Sequence, residues 1–295
     1  MISARTPARI QTTASIALVV GGMLWGLYWI PVRFFAAGGL PGPWPGIAMY
    51  LVSLVVLLPF LWPDRRALMR NWRAVFFSGL FTGAAFSLFT TSLVYTDVVR
   101  SILLFYLAPI WGTLLGLVFL GERLTLVRVI GLIVGLAGLI VILGGEQMIP
   151  GPRNLGDWLA LASGLAWSIG SLGLYRTTGV SLPIQVFAFV VGAVLISIAG
   201  VVLAWGGGAA LPEMDAVAGL APYAVLSVIY VLPMLFLTIW PATKLTPARV
   251  GLLLMSEVVV GLATAALFAG EPFGWREGVG AALIVGAAVL EITRG

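Results

Sequence analysis

The 295-residue sequence contains no cysteine and no histidine. Without cysteine there is no disulfide framework and no thiolate chemistry. Without histidine the commonest general base and the commonest transition-metal ligand are missing. Charge is scarce: 9% of residues are charged, against roughly 25% in an ordinary globular domain. The net charge of +5 comes from basic residues in short loops, a topology signal and not a nucleic-acid surface. No G-x-x-x-x-G-K-[ST] run is present, which excludes ATP drive within this chain. The few acids are scattered, which weighs against an integral-membrane enzyme. Neither a metal nor any other cofactor is implied.

What fills the chain is apolar. Hydrophobic residues make up 61% and the mean hydropathy is +1.11. Apolar stretches of about 18 residues or more recur from end to end, each long enough to cross a hydrocarbon core of about 30 Å. This predicts an all-α integral membrane protein in the lipid bilayer. About ten spans are expected, near 14–33, 46–62, 73–94, 98–119, 125–143, 156–175, 183–205, 216–239, 247–268 and 274–292. Pro41-Gly42-Pro43, Gly151-Pro152 and Gly206-Gly207-Gly208 supply turns between spans, and Pro183 and Pro247 sit where first-turn prolines belong. Arg5 and Arg9 precede the first run, as in a signal peptide. That run is longer than a signal core and holds Trp25, Tyr28 and Trp29, so it reads as a retained helix.

Lysine and arginine divide unevenly between the two sides. The amino-terminal side holds Arg5, Arg9, Arg65, Arg66, Arg70, Arg73, Arg123, Arg128, Arg176, Lys244, Arg249 and Arg294, twelve in all. The other side holds four, Arg33, Arg100, Arg153 and Arg276. The positive-inside bias then puts both termini in the cytoplasm, as an even helix count requires.

The sequence also repeats itself. Leu-Gly-Glu-Arg at 120–123 is echoed by Ala-Gly-Glu-Pro at 269–272, and the offset of 149 also pairs Arg100 with Arg249 and Gly131 with Gly280. A weaker echo at offset 142 links the Gly22–Gly26 segment around Trp25 to the Gly164–Ser168 segment around Trp167. The two offsets imply an insertion in one unit. Residues 1–145 and 146–295 thus read as two five-helix units, and an odd helix number inverts the second relative to the first. Paired inverted units are how many transporters build two faces around one site. Gly112 and Gly116, Gly131 and Gly135, and Gly278, Ala282 and Gly286 are spaced for close helix crossing. The fifth and tenth helices carry few polar groups, which suggests a scaffold or a homodimer face.

Polar groups inside the spans are the site candidates. Glu257 lies about ten residues into the ninth span, where an acid costs roughly 2.5–3.5 kcal/mol to insert. It reads as a ligand for a substrate amine, a proton-titrating group, or a structural carboxylic acid bonded to a neighbour. Trp25, Tyr28, Trp29, Tyr106, Trp111, Trp167 and Tyr230 lie inside spans, where several rings with polar tips suggest a cavity for an organic molecule. Pro109 and Pro233 free backbone carbonyls and are hinge candidates. Thr82, Ser87, Thr90, Thr91 and Ser92 could line a pore or bond back to their own helix. Arg100 and Arg249 open the fourth and ninth spans, as interface anchors or as gates.

With the Trp25 and Trp167 segments, Tyr106-Leu-Ala-Pro109 and Leu-Gly-Glu122-Arg-Leu-Thr in hand, nearly the whole chain resembles the drug/metabolite transporter superfamily, with two tandem EamA-type units. Within it the Trp-rich first helix and the Ser256-Glu257 pair are most similar to aromatic amino acid exporters of bacterial inner membranes. The resemblance implies export of amino acids and related metabolites by alternating access, through a cavity formed by spans one, three, four, six, eight and nine. On that reading Trp25, Trp29, Tyr106, Trp167, Tyr230, Ser256 and Glu257 contact substrate. A multidrug or nucleotide-sugar transporter of the same fold and a passive channel are the alternatives. One departure stands out: Glu257 and Val258 occupy the places of Ala108 and Pro109, so the bend of the first unit need not recur in the second.

Overall fold

The computed structural model describes residues 8–122, 125–143, 152–206, 211–270 and 273–294. Among the described residues every regular element is helical. Ten passes emerge. Helices α1 (Ala8–Trp25) and α2 (Trp29–Ala37) form the first, and α3 (Trp44–Leu57) with a 3₁₀ turn forms the second. Helix α4 (Arg65–Tyr95) is the third; α5 (Val98–Phe105), α6 (Ala108–Leu115) and a π turn (Gly116–Leu120) make the fourth. Passes five to eight are α7 (Leu126–Leu143), α8 (Leu155–Arg176), α9 (Leu182–Gly206) and α10 (Met214–Ala242). Helices α11 (Pro247–Leu254) and α12 (Ser256–Phe268) form the ninth pass, and α13 (Trp275–Arg294) the tenth. The expected limits agree with these to within a turn or two except at the amino-terminal end of the third pass, which starts two turns earlier. Inside lipid a helix satisfies its own backbone, which is why apolar runs of this length leave no other choice.

Local chemistry sets the ends. The Asn154 side chain accepts the Asp157 N–H at 2.9 Å and caps α8. Gly121 and Gly270, 149 residues apart, both adopt the left-handed region at φ +63° and +70°. The glycine of the repeated Gly-Glu element is therefore a helix stop at the end of passes four and nine. Glu122 folds back over that stop: a methyl group at Gly116 would lie 2.8 Å from its carboxylate. Its counterpart Glu271 lies outside the described residues.

Helix α4 runs between α8 and α9. Small residues bring the backbones together, since a methyl group at Gly83 would lie 2.2 Å from the Ala193 nitrogen and one at Gly170 2.6 Å from the Thr82 nitrogen. Helices α7 and α13 pack on each other, with Gly138 against the Gly280 carbonyl. The nearest neighbours of Gly131 and Gly135 are Ala287, Leu252 and Met255, all of the same chain, whereas Gly278, Ala282 and Gly286 are exposed. The fifth and tenth passes are thus a scaffold pair first.

Candidate functional site

Two interrupted passes cross at the centre of the molecule. In the fourth, the helix breaks at Tyr106-Leu107, and Pro109 falls in the first turn of α6, where its missing N–H costs nothing. In the ninth, Met255 separates α11 from α12. Tyr106 and Met255 are 149 residues apart. The break therefore recurs in the second unit, against expectation, and it needs no proline there. Other groups satisfy the backbone instead. The Tyr106 hydroxyl donates to the Leu254 carbonyl at 2.5 Å, and the Ser256 hydroxyl bonds the Leu253 and Val19 carbonyls at 3.0 Å each.

Each break is braced by the first helix of the other unit. A methyl group at Gly164 of α8 would lie 2.4 Å from the Phe105 carbonyl, and Ser168 donates to the Ala108 carbonyl at 2.9 Å. On the other side, a methyl group at Gly22 would lie 3.1 Å from the Leu254 carbonyl and one at Gly26 2.7 Å from the Glu257 carbonyl. Gly22 matches Gly164 and Gly26 matches Ser168 at offset 142; Phe105 matches Leu254 and Ala108 matches Glu257 at offset 149. The small-x-x-Trp-small segments are small because a broken helix lies against them.

Glu257 is 3% exposed. Its Oε2 lies 2.5 Å from the Tyr106 hydroxyl, while Oε1 has no hydrogen-bond partner. A hydroxyl carries one hydrogen, so Tyr106 serves Leu254 and Glu257 together only by sharing it or when the carboxyl is protonated and donates. The candidate rings belong to a cluster in which Phe105 meets Tyr106 edge-on at 5.1 Å and Phe86 lies 6.4 Å from Phe105. Trp25 stacks on Phe86 at 3.9 Å between centroids and donates Nε1–H to Thr238 at 2.9 Å. Trp167 meets the same Phe86 edge-on at 5.3 Å, and its Nε1–H has no partner. Tyr230 donates to the Leu24 carbonyl and lies within Coulomb range of Glu257. Trp29 donates to Thr264 at 3.1 Å, and its ring faces Arg33.

Not every expectation is met. The rings pack on one another and do not simply line a space. Pro233 is exposed and α10 is continuous through it, so the helix is not broken there as it is at Tyr106 and Met255. Thr82, Thr90, Thr91 and Ser92 bond back to carbonyls of their own helix, and Ser87 pairs with Ser197 at 2.8 Å. Arg100 is no surface anchor: its Nε lies 2.6 Å from Oδ2 of the fully buried Asp157. Asp157 also accepts from Thr96 and from the Arg153 N–H, both at 2.8 Å. Arg249 is 9% exposed, at the matching place on the opposite side. At offset 142 the sequence counterpart of Asp157 is Ser15.

Several contributors had no clear signal. Asp157 reads in sequence as a first-turn acid beside a cap. Tyr28, Tyr50 and Thr90 share hydroxyl contacts of 2.6–3.3 Å, and only the fold brings them together.

Residues 12–144 match the model of the EamA-like transporter family. An uncharacterized transporter of Bacillus subtilis, YoaV, is 23% identical over 155 residues, 51% of this chain and 53% of that protein. A second from the same organism, the uncharacterized transporter YvbV, is 26% identical over 175 residues, 57% of this chain and 55% of that protein. The matched region thus spans about half the length of these curated relatives. A solved crystal structure superposes on 96% of this chain and 99% of its own with a TM-score of 0.67; at 18% identity that likeness speaks for the fold alone. Together with ten passes and the paired helix breaks, these matches make the chain a multi-pass membrane protein whose residues 12–144 are similar to the EamA-like transporter family.

Proposed function

We propose that the protein exports aromatic and neutral amino acids and related metabolites across the bacterial inner membrane by alternating access, with both termini cytoplasmic. One observation carries this reading. At the crossing of the two broken passes, a buried acceptor, Glu257 Oε1, and a buried donor, Trp167 Nε1–H, stand without partners among stacked rings. A zwitterion with an apolar or aromatic side chain complements that set: its ammonium meets the carboxylate, its carboxylate meets the indole, and its ring meets Trp25, Tyr106 and Tyr230. Ser256 and Trp29 hold the surrounding backbone in place. Glu257 also suits proton exchange, because its bond to Tyr106 depends on which of the two carries the hydrogen.

The two halves, 1–145 and 146–295, act as the inverted units, with the Tyr106 and Met255 breaks as the points of bending and Arg100 and Arg249 at opposite mouths. A homodimer through passes five and ten would use the exposed stripe Gly278, Ala282 and Gly286.

The test is uptake of a panel of labelled amino acids into proteoliposomes, with and without a pH gradient. Saturable uptake of aromatic or neutral amino acids is expected. Uptake confined to drug cations or nucleotide sugars would replace the substrate assignment, and uptake without saturation would replace a carrier by a channel.

A further inference from the structure

A cavity of about 620 Å³ lies between α4, the end of the fourth pass and α8, away from the ring cluster. It sits at the end of the molecule where the chain begins, because the third pass starts there at Arg65 and the sixth finishes there at Arg176. Its walls include Phe77, Phe119, Ile169 and Leu172. Phe119 is 51% exposed and Phe77 46%, so the opening turns toward the hydrocarbon of the bilayer. Two guanidinium groups, Arg73 and Arg176, stand at its rim, and none of its lining residues is acidic. Arg176 is held in place: it donates to the Phe119 carbonyl, and its guanidinium carbon lies 5.8 Å from the centre of the Phe119 ring. Arg66 and Arg70, both exposed, add positive charge at the same end of α4, on the turn before its non-helical residue Asn71.

An apolar slot open to lipid, ending in fixed cations at the membrane interface, complements one chemistry: an acyl chain that ends in a phosphodiester anion. We propose that this cavity binds an anionic phospholipid of the leaflet on the amino-terminal side, with the acyl chain between Phe77, Phe119 and Leu172 and the phosphate at Arg73 and Arg176. Nothing in this depends on the transported substrate.

Native mass spectrometry of the full-length protein tests it, with phosphatidylglycerol and phosphatidylcholine of identical acyl chains. Wild-type protein is expected to retain phosphatidylglycerol preferentially. Arg73→Gln and Arg176→Gln should each weaken retention about fivefold. The double Lys variant should keep it, and Arg276→Gln, on the opposite side, should not change it. Because lipid retention is the readout, the outcome stands apart from the transport assay. Equal retention of the two lipids, unchanged retention by the double Gln variant, or displacement of the lipid by soluble glycerol phosphate would overturn the proposal.

Discussion

The Tyr106–Glu257 contact joins the two broken passes through one hydroxyl, and its loss should show in both stability and transport. Tyr106→Phe leaves the Leu254 carbonyl and Glu257 Oε2 buried without their shared donor. An unsatisfied buried group costs about 1–3 kcal/mol, so the midpoint of thermal unfolding in detergent should fall by several degrees. Glu257→Gln keeps the size of the side chain and removes its charge. It should lower amino acid uptake at least about tenfold while the protein inserts and purifies normally, a loss that corresponds to roughly 1.4 kcal/mol. Wild-type uptake by that variant would discard Glu257 as an ammonium or proton group. In the sequence Glu257 stood out because an acid in a span is costly. Tyr106 was one of several in-span rings, but its pairing with Glu257 was not legible, since a tyrosine in a helix has no fixed address until the helices cross.

At the scale of elements, the breaks depend on how closely their braces approach. Gly164→Ala would push a methyl group against the Phe105 carbonyl, which is backbone and cannot rotate away. Overpacking of this kind costs about 1–3 kcal/mol, and a lowered unfolding temperature with reduced uptake is the expected result. Gly278→Ala adds its methyl group to open space and should leave the unfolding temperature unchanged. The link between α5 and α8 is the other device. Asp157 is fully buried and accepts from Arg100, Thr96 and the Arg153 backbone, so Asp157→Ala removes one carboxylate from three donors. Removing one partner of a buried pair costs about 3–5 kcal/mol. A double-mutant cycle with Arg100→Ala, read by thermal unfolding, should show strong coupling; additive effects would contradict the pairing.

At the scale of the whole molecule, the proposed inversion would make one sequence element serve opposite faces. The twelve-to-four division of basic residues supports the proposal that the Arg65 end is cytoplasmic and the Arg153 end outside. The absence of cysteine makes this directly measurable, since one introduced thiol is the only thiol. Arg153→Cys should react with a membrane-impermeant maleimide in intact cells, and Arg65→Cys only after permeabilisation. The reverse pattern would invert the assignment. The buried acid that holds Arg100 has a serine, Ser15, as its sequence counterpart.

Sequence alone determined the membrane environment, the number of passes and the repeated Gly-Glu element that the backbone then showed to be a helix stop at Gly121 and Gly270. Each of these follows from local properties: the length of an apolar run, the backbone freedom of glycine, the pattern of basic loops. Tertiary structure decided the rest. The ninth pass breaks at Met255 without a proline, and α10 runs straight through Pro233. Proline alone does not decide where a helix breaks: at Met255 the freed Leu254 carbonyl is taken by the Tyr106 hydroxyl, and that neighbour lies in another pass. The repeat at offset 149 marked two equivalent helices; only packing showed that each is broken and braced by the first helix of the other half.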